Sequence, residues 1–366
     1  MKYFCLPSDF KYETLDRYHE INQTYEEGKV METYGQLSVD NPFGSCRFSG
    51  NLPQIDRNQL EKYIKYGEDK GIGFNYVINA TCMSNEELTG EGFKKIREFL
   101  QMLESIGVNW LTMSLPSLME ITHYVAPKLN IKASTVCQIN SPHKAKFYED
   151  MGVRRLVLDE DIYRKFDVLQ NIRKIYTGEL EVIVNSFCLS DCPYKMFHYN
   201  SLSHSHITDE QCSYYTSRCK ATHIGAENFM KINWIRPEDL YFYSDMGINF
   251  FKLQGRTNVY SGDPARALVS YMEGHYEGNL LSLLELFSPK KPLTIANAEV
   301  DNRKLDHFLD RFVHHPALCT KLCSECGYCK AFAEKSIDSS SMAVMDLMNM
   351  MKDVYLDLPL QKLGKG

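Results

Sequence analysis

No stretch of this chain approaches the ~18 consecutive apolar residues of a membrane-spanning helix, so no membrane association is expected. The opening residues, Met1-Lys2-Tyr3-Phe4-Cys5-Leu6-Pro7, turn polar too soon for a secretory leader, and a cytoplasmic location is the expectation. An excess of positive charge is also missing. Lys and Arg number 41 against 47 Asp and Glu, a net charge of -6, so nothing advertises nucleic-acid binding. Several common catalytic motifs are absent as well. There is no P-loop and no G-x-S-x-G. Gly71-Ile72-Gly73-Phe74-Asn75-Tyr76 lacks the third glycine of a dinucleotide loop, and His19-Glu20 has no second histidine four residues after the first. These gaps remove the familiar nucleotide, serine-hydrolase and zinc-protease classes.

What the chain does have is cysteine. It holds 12, and eight fall in two groups of four. For the expected cytoplasmic location, thiols grouped this way suit metal ligation better than disulfides. The first group is Cys188, Cys192, Cys212 and Cys219, with His198, His204 and His206 between its second and third members. It follows the strand-like run Leu180-Glu181-Val182-Ile183-Val184-Asn185 and reads as a long irregular loop of soft ligands at a strand end. The second group, Cys319-x3-Cys323-x2-Cys326-x2-Cys329, is the more specific local signal, because four thiols within eleven residues can wrap one tetrahedral zinc or one iron–sulfur cluster. Its spacing is that of a bacterial ferredoxin run with the intervals reversed, and Lys330 stands where that run carries proline. The bland alternative is a zinc knuckle stapling the tail.

Apolar, β-branched and aromatic runs alternate with helical stretches along residues 1–287. Strands are expected at 3–7, 30–39, 72–80, 108–115, 131–137, 153–158, 180–187 and 248–254, each followed by a helix or loop. Eight such units predict an α/β chain folded as a (β/α)8 TIM-like barrel, with an open doubly wound sheet as the alternative. After Ser288-Pro289-Lys290-Lys291-Pro292 comes a cysteine-rich helical extension, residues 288–366, with helices expected over 303–314 and 341–355. In a barrel the carboxyl ends of the strands carry the chemistry. Cys5, Cys82, Cys137 and Cys188, together with Asn79, Asn185, Gln254 and Arg256, are expected toward those ends. The isolated Cys5 and Cys137 are read as buried small side chains.

Three segments resemble peptidase family U32 in order and spacing: residues 153–161 (VRRLVLDED), the run LEVIVNSFCLSDCP, and INWIRPEDLYFYSDMGINFFKLQGR. The resemblance spans roughly residues 2–287. It implies a barrel and a 4Fe-4S cluster held by Cys188, Cys192, Cys212 and Cys219. The family's name implies collagenase-like proteolysis. Several members are implicated instead in oxygen-independent hydroxylation of tRNA bases or ubiquinone precursors, with prephenate as a suspected oxygen donor. This chain departs from the pattern in Gln254, which replaces a usual glutamate, and in the long histidine-bearing interval after Cys192. It departs also in the second cysteine group, which suggests a second cluster.

The expected protein is therefore an iron–sulfur enzyme acting on a small molecule, a peptide or an RNA base, fed by an electron-donor protein. Zinc is the alternative metal, and Cys82 or a histidine the alternative ligand. Arg256 would hold an anionic group, because its planar fork suits carboxylate or phosphate. Asn79 and Asn185 would offer hydrogen bonds to substrate or cap loops. A second reading is a metal-dependent peptidase with Glu160, Asp161 or Asp191 as base. A third is a scaffold with structural metals, docking partners through its Met-rich last helix.

Overall fold

The computed structural model describes residues 1–46, 54–208, 214–215, 219, 226–255, 257–289, 299–315, 318–320 and 322–338. Eight parallel strands close on themselves: β1 (Lys2–Pro7), β2 (Gly28–Gly35), β3 (Gly73–Ile78), β4 (Trp110–Met113), β5 (Asn130–Ala133), β6 (Arg155–Val157), β7 (Glu179–Ile183) and β8 (Phe250–Lys252). Each pairs with the next in sequence, and β8 returns to β1 through Tyr3↔Phe250, Phe4↔Phe251 and Cys5↔Lys252. The expected (β/α)8 barrel is the observed one.

Most strands are shorter than their apolar runs. The run over 180–187 supplies only Leu180 to Ile183 of the strand Glu179–Ile183, although Val184, Asn185 and Ser186 beyond it are still buried. Burial continues past the last ladder hydrogen bond because these residues lie under the loops that cover the carboxyl ends, and sequence pattern reads burial rather than pairing.

The outer helices bury one face each. In α3 (Gly90–Ser105), Ile96, Phe99, Leu100 and Leu103 are buried at helical spacing. α2 (Arg57–Asp69) begins with a capping box: the Asp56 carboxylate accepts from Gln59 N at 2.8 Å, and the Gln59 amide oxygen accepts from Asp56 N at 2.9 Å. Asp56→Ala is expected to destabilise the fold by about 1 kcal/mol in urea unfolding.

Two expectations fail. The segment after Cys192 is not irregular throughout, since Lys195–Thr208 forms a helix carrying His198, His204 and His206. The single helix expected over 303–314 is broken into a 3-10 turn, Asn302–Leu305, and a short helix, Asp310–His314. His307 between them adopts φ +67°, a left-handed conformation no helix accommodates. The expected Met-rich helix at 341–355 lies outside the described residues.

The extension packs directly on the barrel. Phe308, fully buried, stacks on Trp234 (centroids 5.4 Å) on one side and Tyr328 (5.7 Å) on the other, and meets Phe332 edge-on. A two-residue antiparallel pair, β9 (Glu299–Val300) with β10 (Ile337–Asp338), closes the extension. Among the described residues no helix is long and apolar enough to cross a membrane.

Candidate functional site

The barrel interior is ionic rather than apolar. Cys5, Glu32, Lys132, Arg155 and Glu181 come from five strands and are buried. Lys132 Nζ donates to Glu32 and, at 2.6 Å, to Glu181, while Arg155 reaches Glu32 at 3.2 Å and Glu181 at 3.4 Å. Cys5 Sγ donates to Glu181 at 3.3 Å. Cys5, Glu32 and Glu181 group closely enough to suggest a metal site. The Lys132 ammonium already bonds both carboxylates there, so two anions are balanced by two cations and the set reads as a core network. Burial alone would lift Glu181, but Lys132, Lys252 and Arg155 hold its carboxyl down at about 2.

Lys252 stands apart from this balance. It is the last residue of β8, in register with Cys5, and its amine lies 4.1 Å from the Tyr34 ring centroid. Among the described residues no carboxylate pairs with it. Burial lowers its amine to about 8, against the pull of Glu181. A buried lysine that exchanges a proton near neutral pH is a common catalytic device. The sequence carried a signal for it that pattern reading passed over: a cation ending the apolar run Ile248-Asn249-Phe250-Phe251.

Beyond β7 the chain turns through Asn185. Its side-chain amide donates to Gln254 O (2.8 Å) and Leu284 O (2.9 Å), and its oxygen accepts from Gln254 N (2.7 Å). Both N–H groups are thus spent on backbone carbonyls, one just beyond β8 and one at the end of the helix Leu280–Leu284. Asn79 is used similarly: its oxygen accepts from Cys46 N (3.1 Å) and its amide donates to Ser134 Oγ (3.2 Å). Arg256 lies outside the described residues, as does Cys212.

Cys188 and Cys192 flank a tight turn. Asp191 takes φ +53°, and Ser190 Oγ is fixed by Lys231 O (3.1 Å) and the Asn233 amide (2.7 Å). This folding places Cys188, Cys192 and Cys219 on the wall of one cavity, together with Tyr194, Lys195, His198, Tyr199 and Tyr215. Three of the four thiols expected in the first group therefore line one cavity, and His198 lines it with them. His204 is exposed. Cys82 is not on this wall; its sulfur accepts from Ser84 N at 3.4 Å. Cys5 belongs to the interior network and not to the strand ends. Cys137 Sγ donates to Ser114 O at 3.5 Å, in a partly buried position.

Cys46, passed over in the sequence, is buried behind the helix of Lys195–Thr208, its sulfur 3.3 Å from Ser203 Oγ and 3.0 Å from Asn79 O.

Behind Cys188 lie three carboxylates on one ammonium. Lys195 Nζ is 2.5 Å from Asp159, 3.3 Å from Glu160 and 3.3 Å from Asp161. Burial, reinforced by Glu160, pushes the Cys188 thiol well above its ordinary value. Left alone it stays protonated, and a bound metal cation is what would release that proton.

The four tail thiols are also brought together. Cys319, Cys323, Cys326 and Cys329 line a second cavity of about 180 Å³ with Arg164, Asp161, Ser190 and Asp191. Ser190 and Asp191 belong to the turn between Cys188 and Cys192, so different residues of one turn line the two cavities.

Eight parallel strands closed on themselves, with cysteines lining a cavity beyond β7, define a (β/α)8 barrel protein. The sequence profile of Peptidase family U32 matches residues 41–219. An uncharacterized protease of Methanocaldococcus jannaschii is 31% identical over 331 residues, covering 87% of this chain and 94% of that protein. A solved U32 peptidase superposes with a TM-score of 0.49 at 17% identity, covering 70% of this chain and 94% of that one. The chain belongs to peptidase family U32.

Proposed function

We propose that the protein is an iron–sulfur enzyme that modifies a small molecule, a peptide or an RNA base by oxygen-independent hydroxylation or a related redox step. The observation that carries this reading is that Cys188, Cys192 and Cys219 line one cavity whose wall also carries Tyr194, Tyr199 and Tyr215. Thiols on a wall shared with aromatic side chains suit a thiolate-bound iron–sulfur centre, which needs soft ligands and limited water. Cys188, Cys192 and Cys219 would hold it, with His198 beside them. The bound centre supplies one-electron chemistry or an open iron acting as Lewis acid.

The chain's own residues do the rest. Lys195 offsets part of the negative charge of Asp159, Glu160 and Asp161 behind Cys188. Asn185 and Asn79 hold the strand ends that frame the mouth. Lys252 Nζ can keep or release a proton near pH 8, or face a substrate carboxylate as the ammonium. Electrons would come from a donor protein.

A hydrolytic reading draws on the family name and on the naming of the archaeal relative as a protease. It needs a metal with an open position and a free carboxylate base. Asp159 and Glu160 are buried beside Lys195, Asp161 shares that ammonium, and Asp191 sits 3.7 Å from Lys165 on the side of the tail cavity. None of these carboxylates is free of a cation, which is why the redox reading is put first.

Purification without oxygen separates the two. The redox reading expects a brown protein with iron and sulfide in equal amounts and no peptide cleavage. A colourless zinc protein that cleaves gelatin or a peptide library would overturn it.

A further inference from the structure

Arg164 is a buried cation without a carboxylate. It is 7% exposed, and its two terminal nitrogens donate to Met230 O and Ile232 O at 2.5 Å each. Its guanidinium lies over the rings of Trp234 (5.0 Å) and Phe308 (4.8 Å). Among the described residues no carboxylate lies within ion-pair distance, and Nε has no acceptor. The nearby Asp239 is taken by Arg236 at 2.9 Å. The other cations on the cavity wall all have anions of their own: Lys165 with Asp191 (3.7 Å), Lys231 with Glu227 (3.1 Å) and Lys330 with Glu334 (3.8 Å). A buried charge needs a counter-charge, and carbonyls and rings stabilise it without neutralising it.

The same wall carries the four tail cysteines. Cys323–Cys326 forms one helical turn, and Gly327 then takes φ +62°, a left-handed step that reverses the chain and starts the helix Tyr328–Ser336 with Cys329 in its first turn. Four neutral thiols, or two disulfides, would leave Arg164 unbalanced.

We propose that Cys319, Cys323, Cys326 and Cys329 hold an anionic tetrathiolate metal centre whose buried counter-charge is Arg164. Four thiolates around a divalent zinc, or around an oxidised four-iron core, each leave a net charge of about -2, so both suit the cation. The centre fixes the extension to the barrel through Arg164 and the aromatic stack beneath it. The inference stands independently of the centre beside β7, because it uses a different set of ligands.

The test uses the full-length chain, prepared without oxygen and then stripped of metal. Cobalt(II) is the probe, and its thiolate charge-transfer absorption is the readout. So that any cobalt held by the cysteines beside β7 does not enter the readout, the titration is made in a Cys188→Ser/Cys192→Ser background. There, cobalt uptake is expected to persist and to vanish on adding Cys323→Ser and Cys326→Ser. Arg164→Gln is expected to weaken cobalt binding about 10–100-fold, as loss of a ligand-supporting partner does, and Arg164→Lys to restore most of it. Circular dichroism checks that each variant is folded. Metal analysis of the unstripped protein distinguishes the sources: iron with sulfide marks a cluster, zinc alone a mononuclear site. Uptake indifferent to the tail cysteines, or equal in Arg164→Gln and the parent, would overturn the proposal.

Discussion

Lys132→Met is expected to destabilise the protein by about 3–5 kcal/mol at pH 7, the usual effect of removing one partner from a buried ion pair. The variant leaves Glu32 and Glu181 facing Arg155 as the remaining ion-pair cation in the interior. One of the two carboxyls must then take up a proton, so the loss should shrink as pH falls. In the parent protein the sign is opposite. Glu181 is held at about 2 in the fold against an ordinary 4.5, so its contribution is complete above pH 4.5 and is lost as pH falls toward 2. Urea unfolding of parent and variant at pH 5 and 7 measures both trends. A change under 1 kcal/mol would mean the interior charges are not coupled as their distances imply. Adding Glu181→Gln to the variant should recover part of the loss, because it removes the stranded charge.

Lys252→Met should act in the opposite direction. The amine is held at about 8 in the fold against an ordinary 10.5. Between those values the unfolded chain binds more protons than the folded one, so stability rises with pH from 8 to 10.5. Below pH 8 the whole penalty applies, roughly 3 kcal/mol at 1.36 kcal/mol for each tenfold change in proton affinity. Methionine fills similar space without a charge, so the variant should be more stable at pH 7 by up to that amount, and the gain should fade toward pH 10.5. Thermal or urea unfolding across pH 7–10 checks it. A variant that is both more stable and inactive would mark Lys252 as a residue kept for function at the expense of stability. A destabilised variant would show that the amine makes a stabilising contact.

Much of the barrel was legible because each strand is a run of β-branched and aromatic residues punctuated by glycine or a helix start. Gly71, Gly107, Gly152 and Gly247 all precede strands and all adopt positive φ, so the punctuation was physical. The ends were overread for the reason visible at Val184 to Ser186, where burial outlasts pairing. The helix Lys195–Thr208 was missed because its sequence, with Ser201, Ser203, His204 and Ser205, shows little apolar periodicity. It is held by tertiary contacts such as Ser203 Oγ with Thr81 N at 2.9 Å.

The site was half legible. Cysteine spacing led to both groups of thiols without the structure. The ionic interior did not emerge, because Lys132 and Glu181 each sit singly in an apolar run and meet across 49 residues of sequence. Arg164 was invisible for the same reason: a lone arginine acquires meaning only when the groups around it offer no anion.

The most direct test is the iron and sulfide content of the oxygen-free protein, parent against Cys188→Ser/Cys192→Ser, with electron paramagnetic resonance after dithionite reduction. The parent should contain iron and sulfide and give a reduced-cluster signal that the double variant lacks while remaining folded. A parent free of iron, or a double variant with the same iron and the same signal, would contradict an iron–sulfur centre beside β7.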